Sequence, residues 1–97
     1  MSDVIDQYVA QIKEKVGSDP IKASVKIVIH DEGSFIIDPN GVAASDGEAK
    51  CTMTMSDETF RGMLDGSVNG MTAMMGGKLK VKGAITEAIK LRAILFG

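Results

Sequence analysis

The 97-residue sequence predicts an α+β domain in which helices cover one face of a five-stranded, mostly antiparallel sheet. Apolar residues recur at helical spacing near both ends of the chain, whereas in the middle they alternate with polar residues, as in half-buried strands. Clusters of turn-forming residues separate the alternating segments. We therefore expect one domain over residues 1–97, ordered as helix, four strands, two short helices, strand and helix.

The first helix is predicted over residues 3–16. Ile5, Val9 and Ile12 lie three or four positions apart, which places them on one helical face. Gly17 then suits the position after a helix C-terminus, and Pro20 prevents the helix from continuing.

Four strands follow, and each is identified by alternation between two turn signals. They are predicted over residues 24–30, 35–37, 42–45 and 50–55. The intervening segments are short and rich in Asp, Gly, Asn, Ser and Pro. Because short turns join neighbouring strands, we expect consecutive hairpins, including one at Asp46-Gly47, and hence an antiparallel meander.

The second half of the chain returns to helical spacing. Ser56 is placed to cap the N-terminus of a helix that ends at Gly66. A second short helix is expected over residues 71–75, followed by a strand over residues 78–82. The helix after Gly83 has a broad apolar arc, wider than packing on a surface requires.

Composition excludes several classes of function. The net charge of −2, without any basic run interleaved with aromatics, argues against nucleic-acid binding. A single cysteine, Cys51, excludes an intramolecular disulfide and fits a reducing compartment. The acidic N-terminus does not resemble a secretory signal, and no apolar run is long enough to span a membrane. A cytoplasmic location is expected.

Groups that could carry catalysis or bind a metal are sparse. His30 has no evident nucleophile or carboxylate partner, and Cys51 alternates with apolar residues, as a buried thiol does. Gly76-Gly77-Lys78 lacks the spacing of a phosphate-binding loop and reads as a helix end. We therefore expect neither an enzyme nor a metal site, and no cofactor.

Methionine is concentrated in one half of the chain, since six of the seven Met residues lie between Met53 and Met75. Thioether side chains fill irregular apolar space and adapt to different partners. Two interpretations stay open: these residues form an ordinary packed core, or they line a cavity for an apolar ligand.

The chain resembles the sterol carrier protein 2 domain family. The resemblance is strongest in KCTMTMSDETF (residues 50–60), in the helix connection of residues 66–75 and in GGKLKVKG (residues 76–83), and it extends weakly back to Ile21. It implies a five-stranded, mostly antiparallel sheet covered by helices. Between the two layers it implies an apolar tunnel that takes up sterols, fatty acids, fatty acyl-CoA or phospholipids.

The resemblance therefore implies non-catalytic binding and transfer of an apolar lipid. Uptake would require displacement of the last helix or of the short helices that carry Met. The alternative is an interaction, dimerisation or substrate-presenting subunit with a closed core. The residues expected to line the cavity are Met53, Met55, Phe60, Met63, Leu64, Met71, Met74, Met75, Val81, Ile89, Leu95 and Phe96.

A row of lysines marks the last predicted strand. Lys78, Lys80 and Lys82 alternate with Leu79 and Val81, so they share one face. They form either an ordinary solvated strand face or a contact with an anionic membrane surface. The chain itself is expected to be a monomer or a homodimer.

Overall fold

The structure is a computed structural model that describes residues 3–95, so the predicted site residue Phe96 lies outside the described part. The elements follow the predicted order, and the α+β class with five strands is confirmed. They are α1 (Asp3–Val16), β1 (Val25–Ile29), β2 (Gly33–Asp38), β3 (Gly41–Ala44), β4 (Cys51–Met55), α2 (Asp57–Asp65), α3 (Gly70–Met75), β5 (Leu79–Gly83) and α4 (Ile85–Leu95).

The strands form one sheet in the order β3-β2-β1-β4-β5, with β1 parallel to β4 and the other three pairings antiparallel. The predicted hairpin at Asp46-Gly47 is therefore wrong, because β4 does not pair with β3. Instead the chain crosses to the far side of β1, where the Cys51 N–H donates to the Ser24 carbonyl over 3.2 Å. Lys26 Nζ also donates to the Asp46 carbonyl over 3.0 Å, which fixes the crossing loop.

The strand register places the large apolar side chains on a single face of the sheet. Ile27 lies beside Phe35 on β2 and beside Met53 on β4, and Met53 in turn lies beside Val81 on β5. Since side chains alternate along a strand, this row faces one way and the partly exposed residues between them face the other. Helices α1, α3 and α4 pack on the sheet through this apolar face.

Three aromatic rings join α1, β2 and α2 at one end of the core. The Tyr8 and Phe60 ring centroids are 4.7 Å apart with the planes nearly perpendicular, and those of Phe35 and Phe60 are 5.8 Å apart. Edge-to-face contacts of this kind stabilise by about 0.5–1.5 kcal/mol beyond the area that they bury. Phe35 and Phe60 are completely buried, so these three rings fix α1 and α2 on the sheet.

The hydroxyl of Tyr8 is held by polar groups of α2. It donates a hydrogen bond to the Asp57 carboxylate, and Arg61 Nε donates to the Tyr8 oxygen over 3.3 Å. Arg61 Nε also lies 3.1 Å from Asp57 Oδ2. Burial of the phenol, followed by the hydrogen bond to Asp57, raises the pKa of Tyr8 to about 12.

This raised pKa predicts a loss of stability in alkali. Below the ordinary pKa of 10.0, the phenol is neutral in both the folded and the unfolded chain. Between pH 10 and pH 12 the unfolded chain releases the proton while the folded chain retains it, so the free energy of unfolding falls by roughly 2 kcal/mol. Tyr8 is the sole tyrosine and the chain has no tryptophan, so tyrosinate absorbance reports this one group.

The matched control is Tyr8→Phe, which keeps the ring and removes the hydroxyl. All other side chains are the same in both proteins, so the difference between the two stability curves isolates the phenol. That difference should decline between pH 10 and pH 12. A phenol that ionises near pH 10 in the folded wild type would contradict the assignment.

Candidate functional site

An apolar pocket of about 140 Å³ lies between β4 and β5 on one side and α3 and α4 on the other. Its wall is almost entirely aliphatic and thioether, and among the described residues that line it only Arg92 is charged. The lining residues are Met53, Met63, Val68, Gly70, Met71, Met74, Leu79, Val81, Ile85, Ala88, Ile89 and Arg92.

Helix α4 supplies the outer wall through one of its faces. Ile85, Ala88, Ile89 and Arg92 follow the spacing i, i+3, i+4, i+7, so they stack along one side of the helix. Ile85 is 51 % and Ile89 61 % exposed, so this face is only half covered by protein. The pocket thus opens to solvent along α4.

Helix α3 begins at a capped turn that brings two methionines to the pocket. Asn69 Oδ1 accepts from the N–H groups of Met71 and Thr72 at 2.8 and 3.3 Å. Such a cap stabilises a helix start by about 1 kcal/mol, which matters for a helix of only six residues. Met71 and Met74 then lie three residues apart on the pocket side.

The chain between α2 and α3 is pressed against α2 at Gly62. The Val68 N–H donates to the Gly62 carbonyl over 2.9 Å. A Cβ at position 62 would lie only 2.3 Å from Val68 Cγ2, so a side chain there would displace Val68. The glycine therefore lets Val68 pack close to α2 while its side chain forms part of the pocket wall.

The structure brings half of the predicted lining residues together in this pocket: Met53, Met63, Met71, Met74, Val81 and Ile89. Several residues of the wall were not predicted. Leu79, Ile85 and Ala88 follow the same alternation or helical spacing and could have been found from it. Val68, Gly70 and Arg92 have no signal in the sequence, because they reach the pocket only through the α2–α3 connection and the orientation of α4.

The other described residues of the predicted set lie elsewhere. Met55 and Phe60 are completely buried in the core. Leu64 and Leu95 border a separate shallow depression beside Gly66. Met75 is 82 % exposed and does not line the pocket, because it lies one position, about 100°, around the helix from Met74.

Helix α4 is anchored to the sheet by a buried carboxylate. Glu87 is only 6 % exposed, and its Oε1 accepts from the Ser24 N–H over 3.1 Å. Its Oε2 lies 3.0 Å from Lys90 Nζ, and this hydrogen bond from Lys90 is the main reason that the pKa of Glu87 is lowered. Leu91 and Leu95 are buried on the same helix.

Helix α3 is held much less firmly, since Ala73 is its one buried residue. Displacing α3 therefore exposes less apolar surface than displacing α4, and costs less free energy. Of the two helices that close the pocket, α3 is the more easily moved.

The single thiol lies underneath α4. Cys51 is 1 % exposed, as its alternation with Met53 and Met55 predicts, and burial raises its pKa. His30 is exposed at the end of β1. Within residues 3–95, no three His, Cys, Asp or Glu side chains are grouped as metal ligands would be.

A sheet covered on one face by helices, with an apolar pocket between the layers, is an architecture suited to holding an apolar molecule. None of the helices between Asp3 and Leu95 has the length and apolar character to cross a membrane. A model of the SCP-2 sterol transfer family matches residues 5–96, and the chain therefore belongs to that family. The family resemblance found in the sequence is confirmed, and it includes α1 as well.

Individual proteins agree with this assignment. The chain is 36 % identical to human sterol carrier protein 2 over 66 residues, which is 63 % of this chain and 12 % of that protein. It is 27 % identical to human hydroxysteroid dehydrogenase-like protein 2 over 105 residues, covering 97 % of this chain and 25 % of that protein. The chain thus spans a quarter or less of these two relatives.

The fold has a close counterpart among solved structures. The solution structure of sterol carrier protein 2 from Aedes aegypti in complex with palmitate superimposes with a TM-score of 0.77. The match covers 98 % of this chain and 96 % of that one, at 22 % identity. The five-stranded, helix-covered architecture is therefore that of sterol carrier protein 2 domains.

The anchor at Glu87 predicts that its loss will loosen α4 and expose Cys51. In Glu87→Gln, the ion pair with Lys90 is lost and the acceptor for the Ser24 N–H is weakened, so a thiol reagent should label Cys51 several-fold faster at pH 7. Glu14→Gln, which neutralises an exposed residue of α1, is the control. Equal labelling rates in all three proteins would contradict an anchoring role.

The same anchor gives a pH dependence of defined sign. A carboxyl whose pKa is lowered on folding stabilises the fold above its ordinary pKa of 4.5, and this contribution is lost as the pH falls through the lower, folded value. Wild type should therefore lose more stability than Glu87→Gln in that acid range.

Proposed function

We propose that this chain binds an apolar lipid in the pocket between the sheet and α3/α4 and transfers it without catalysis. The observation that carries the proposal is the pocket itself, an aliphatic and thioether wall that is partly open to water in a member of the SCP-2 sterol transfer family. The palmitate bound by the Aedes aegypti protein supports a ligand with an alkyl chain.

The driving force is removal of alkyl surface from water. Each buried methylene contributes about 0.8 kcal/mol, so a long chain binds without any specific polar contact. At about 140 Å³ the pocket is close to the size of engineered cavities of about 150 Å³ that hold one benzene molecule. A complete acyl chain therefore extends through the open mouth or enlarges the pocket.

Enlargement proceeds by movement of α3. This helix is the less firmly held wall, and its flexible methionines can repack around an incoming chain. Helix α4 stays in place through Glu87, Leu91 and Leu95, so Cys51 should remain protected from reagents during uptake.

The alternative of an interaction subunit with a closed core is not favoured, because the pocket is open. The larger relatives of this chain include a hydroxysteroid dehydrogenase-like protein, so presentation of a bound ligand to an enzyme is compatible with the proposed lipid binding.

We propose that the chain exists as a monomer or a homodimer, and size-exclusion chromatography with light scattering will distinguish the two. We also propose a cytoplasmic location, testable by fractionation of cells that produce the protein.

Two adjacent methionines provide a sharp test of the pocket. Met74 lines it, whereas Met75 is 82 % exposed on the same helix. Met74→Glu places a charge in the apolar wall and should weaken binding of a fluorescent fatty acid at least tenfold. Met75→Glu adds the same charge in water, and its affinity should stay within about twofold of wild type.

Both variants change the net charge equally, so a general electrostatic effect cancels. Equal affinities for wild type and Met74→Glu would show that the ligand binds elsewhere. Native mass spectrometry of purified wild type should in addition detect a co-purifying lipid.

We also propose that the lysine row (Lys78, Lys80 and Lys82) contacts an anionic membrane surface. Lys80 and Lys82 alternate with Leu79 and Val81, so they lie on the sheet face opposite the pocket, and Lys78 is exposed just before them. Binding to anionic vesicles should weaken with salt and in the triple Lys→Glu variant, by about 1 kcal/mol for each lysine that contacts the surface. Salt-independent binding, or none, would leave these lysines as protection of an edge strand against pairing.

A further inference from the structure

We propose that Arg92 is a specificity-determining residue of the pocket, which anchors the head group of a single-chain amphiphile with an anionic head, such as a carboxylate. This inference rests on the proposed function and adds to it the charge of the head group and its position. The head would lie at the C-terminal end of α4, and the alkyl chain would run along the pocket towards Ile85.

Along α4, the side chains that line the pocket change from apolar at the start of the helix to charged in its last turn. Ile85, Ala88 and Ile89 form the first two turns of the pocket face, and Arg92 continues that same face in the last turn. The arginine is exposed while contributing to the wall. Arginine commonly adopts such an arrangement, with its methylene stem along apolar surface and its guanidinium in water.

Within residues 3–95, the Arg92 side chain makes no hydrogen bond and no ion pair, so no described residue competes with a ligand for its guanidinium. The other arginine, Arg61, is engaged with Tyr8 and Asp57, and the neighbouring cation on α4, Lys90, is engaged with Glu87. A planar guanidinium with its donors unused matches the two oxygens of a carboxylate.

The rest of the wall cannot select a head group. Its side chains are aliphatic or thioether and offer no strong hydrogen-bonding group, so they bind any alkyl chain of suitable length. Head-group preference at this pocket then depends on the single charge at its edge. That charge attracts an anion, has little effect on an alcohol and repels a cation.

The expected preference is modest. The site is exposed to solvent, and ion pairs in such positions contribute at most about 1 kcal/mol, or about fivefold in affinity. The C-terminal end of α4 also carries partial negative charge, which opposes an anion there. If Arg92 only offsets that helix dipole, its removal will not alter head-group preference, and the following experiment tells the two roles apart.

Three ligands with the same tail separate the head group from the chain. Dodecanoate and dodecyltrimethylammonium, each below its micellar concentration, and dodecanol, below its solubility limit, compete with a bound neutral dye at pH 8 in low salt. Wild type should bind dodecanoate about two- to fivefold more tightly than dodecanol, and dodecyltrimethylammonium most weakly. Raising the salt concentration should reduce the differences between the three affinities.

Two substitutions and one control complete the design. Arg92→Gln removes the charge while keeping a stem and should make the dodecanoate and dodecanol affinities equal. Arg92→Glu should reverse the order, favouring the cation. Lys22→Gln removes one exposed positive charge outside the pocket wall and should keep the wild-type order.

The outcomes separate this inference from the function on which it rests. If all three ligands bind wild type but their order is the same in Arg92→Gln, the head group is not anchored by Arg92, while the proposed lipid binding stands. If none of the three displaces the dye from wild type, the proposed function and the anchor are both overturned. An order that changes equally in Lys22→Gln would indicate net charge instead of Arg92 and would also overturn the anchor.

Discussion

The parallel pairing of β1 with β4 is the interaction on which the pocket depends. It sets Met53 beside Ile27 in the middle of the sheet, and β5 then adds Val81 on the other side of Met53. A shift of this register by one residue would turn Thr52 and Thr54 towards the helices and remove the thioether floor. The contacts that hold the pairing at its start are made by Ser24, which accepts from Cys51 and from Lys50. Ser24 also donates to Glu87, so one short segment fixes both the floor and the outer wall.

Most of the fold was predicted from the spacing of apolar residues along the chain and from the residues that cap helices. The alternation within each strand is local information, and the boundaries of α1 and α2 are marked by Gly17, Ser56 and Gly66, so these elements agree with expectation. Which strand lies next to which is not local. The turn signal at Asp46-Gly47 shows only that the chain changes direction. The pairing of β4 with β1 joins residues that are far apart in the sequence, such as Val25 and Cys51, so no local pattern specifies it.

The pocket was partly predictable for the same reason. Met53 and Val81 follow from alternation, whereas Met74 and Met75 both fit an apolar short helix, and no pattern over six residues tells which of them faces inwards. Arg92 could not be found in advance, because a basic residue in the last turn of a helix is ordinarily explained by the helix dipole. Its place in the pocket wall follows from the burial of Leu91 and Leu95, which fixes the side of α4 that faces the sheet.

The half-exposed walls explain why such a domain would hold a ligand at all. Met71, Ile85 and Ile89 are each at least 50 % exposed, although all three belong to the apolar lining. The core of the protein is therefore left open on this side, and apolar area there stays in water at a cost of about 25 cal/mol per Å². An alkyl chain lying against these residues completes the core in the way that a further hydrophobic element of the protein would.

The close approach of Val68 to Gly62 has a consequence for how the volume of the pocket is determined. The position of Val68 in the wall depends on Gly62, which has no side chain and does not itself line the pocket. A methyl group at position 62 would have to push Val68 away from α2, because the 2.3 Å approach leaves no room for it. The pocket volume available to a ligand thus depends partly on Gly62, which a ligand in the pocket would not contact. A comparison of related proteins that considered only the lining residues would miss this dependence.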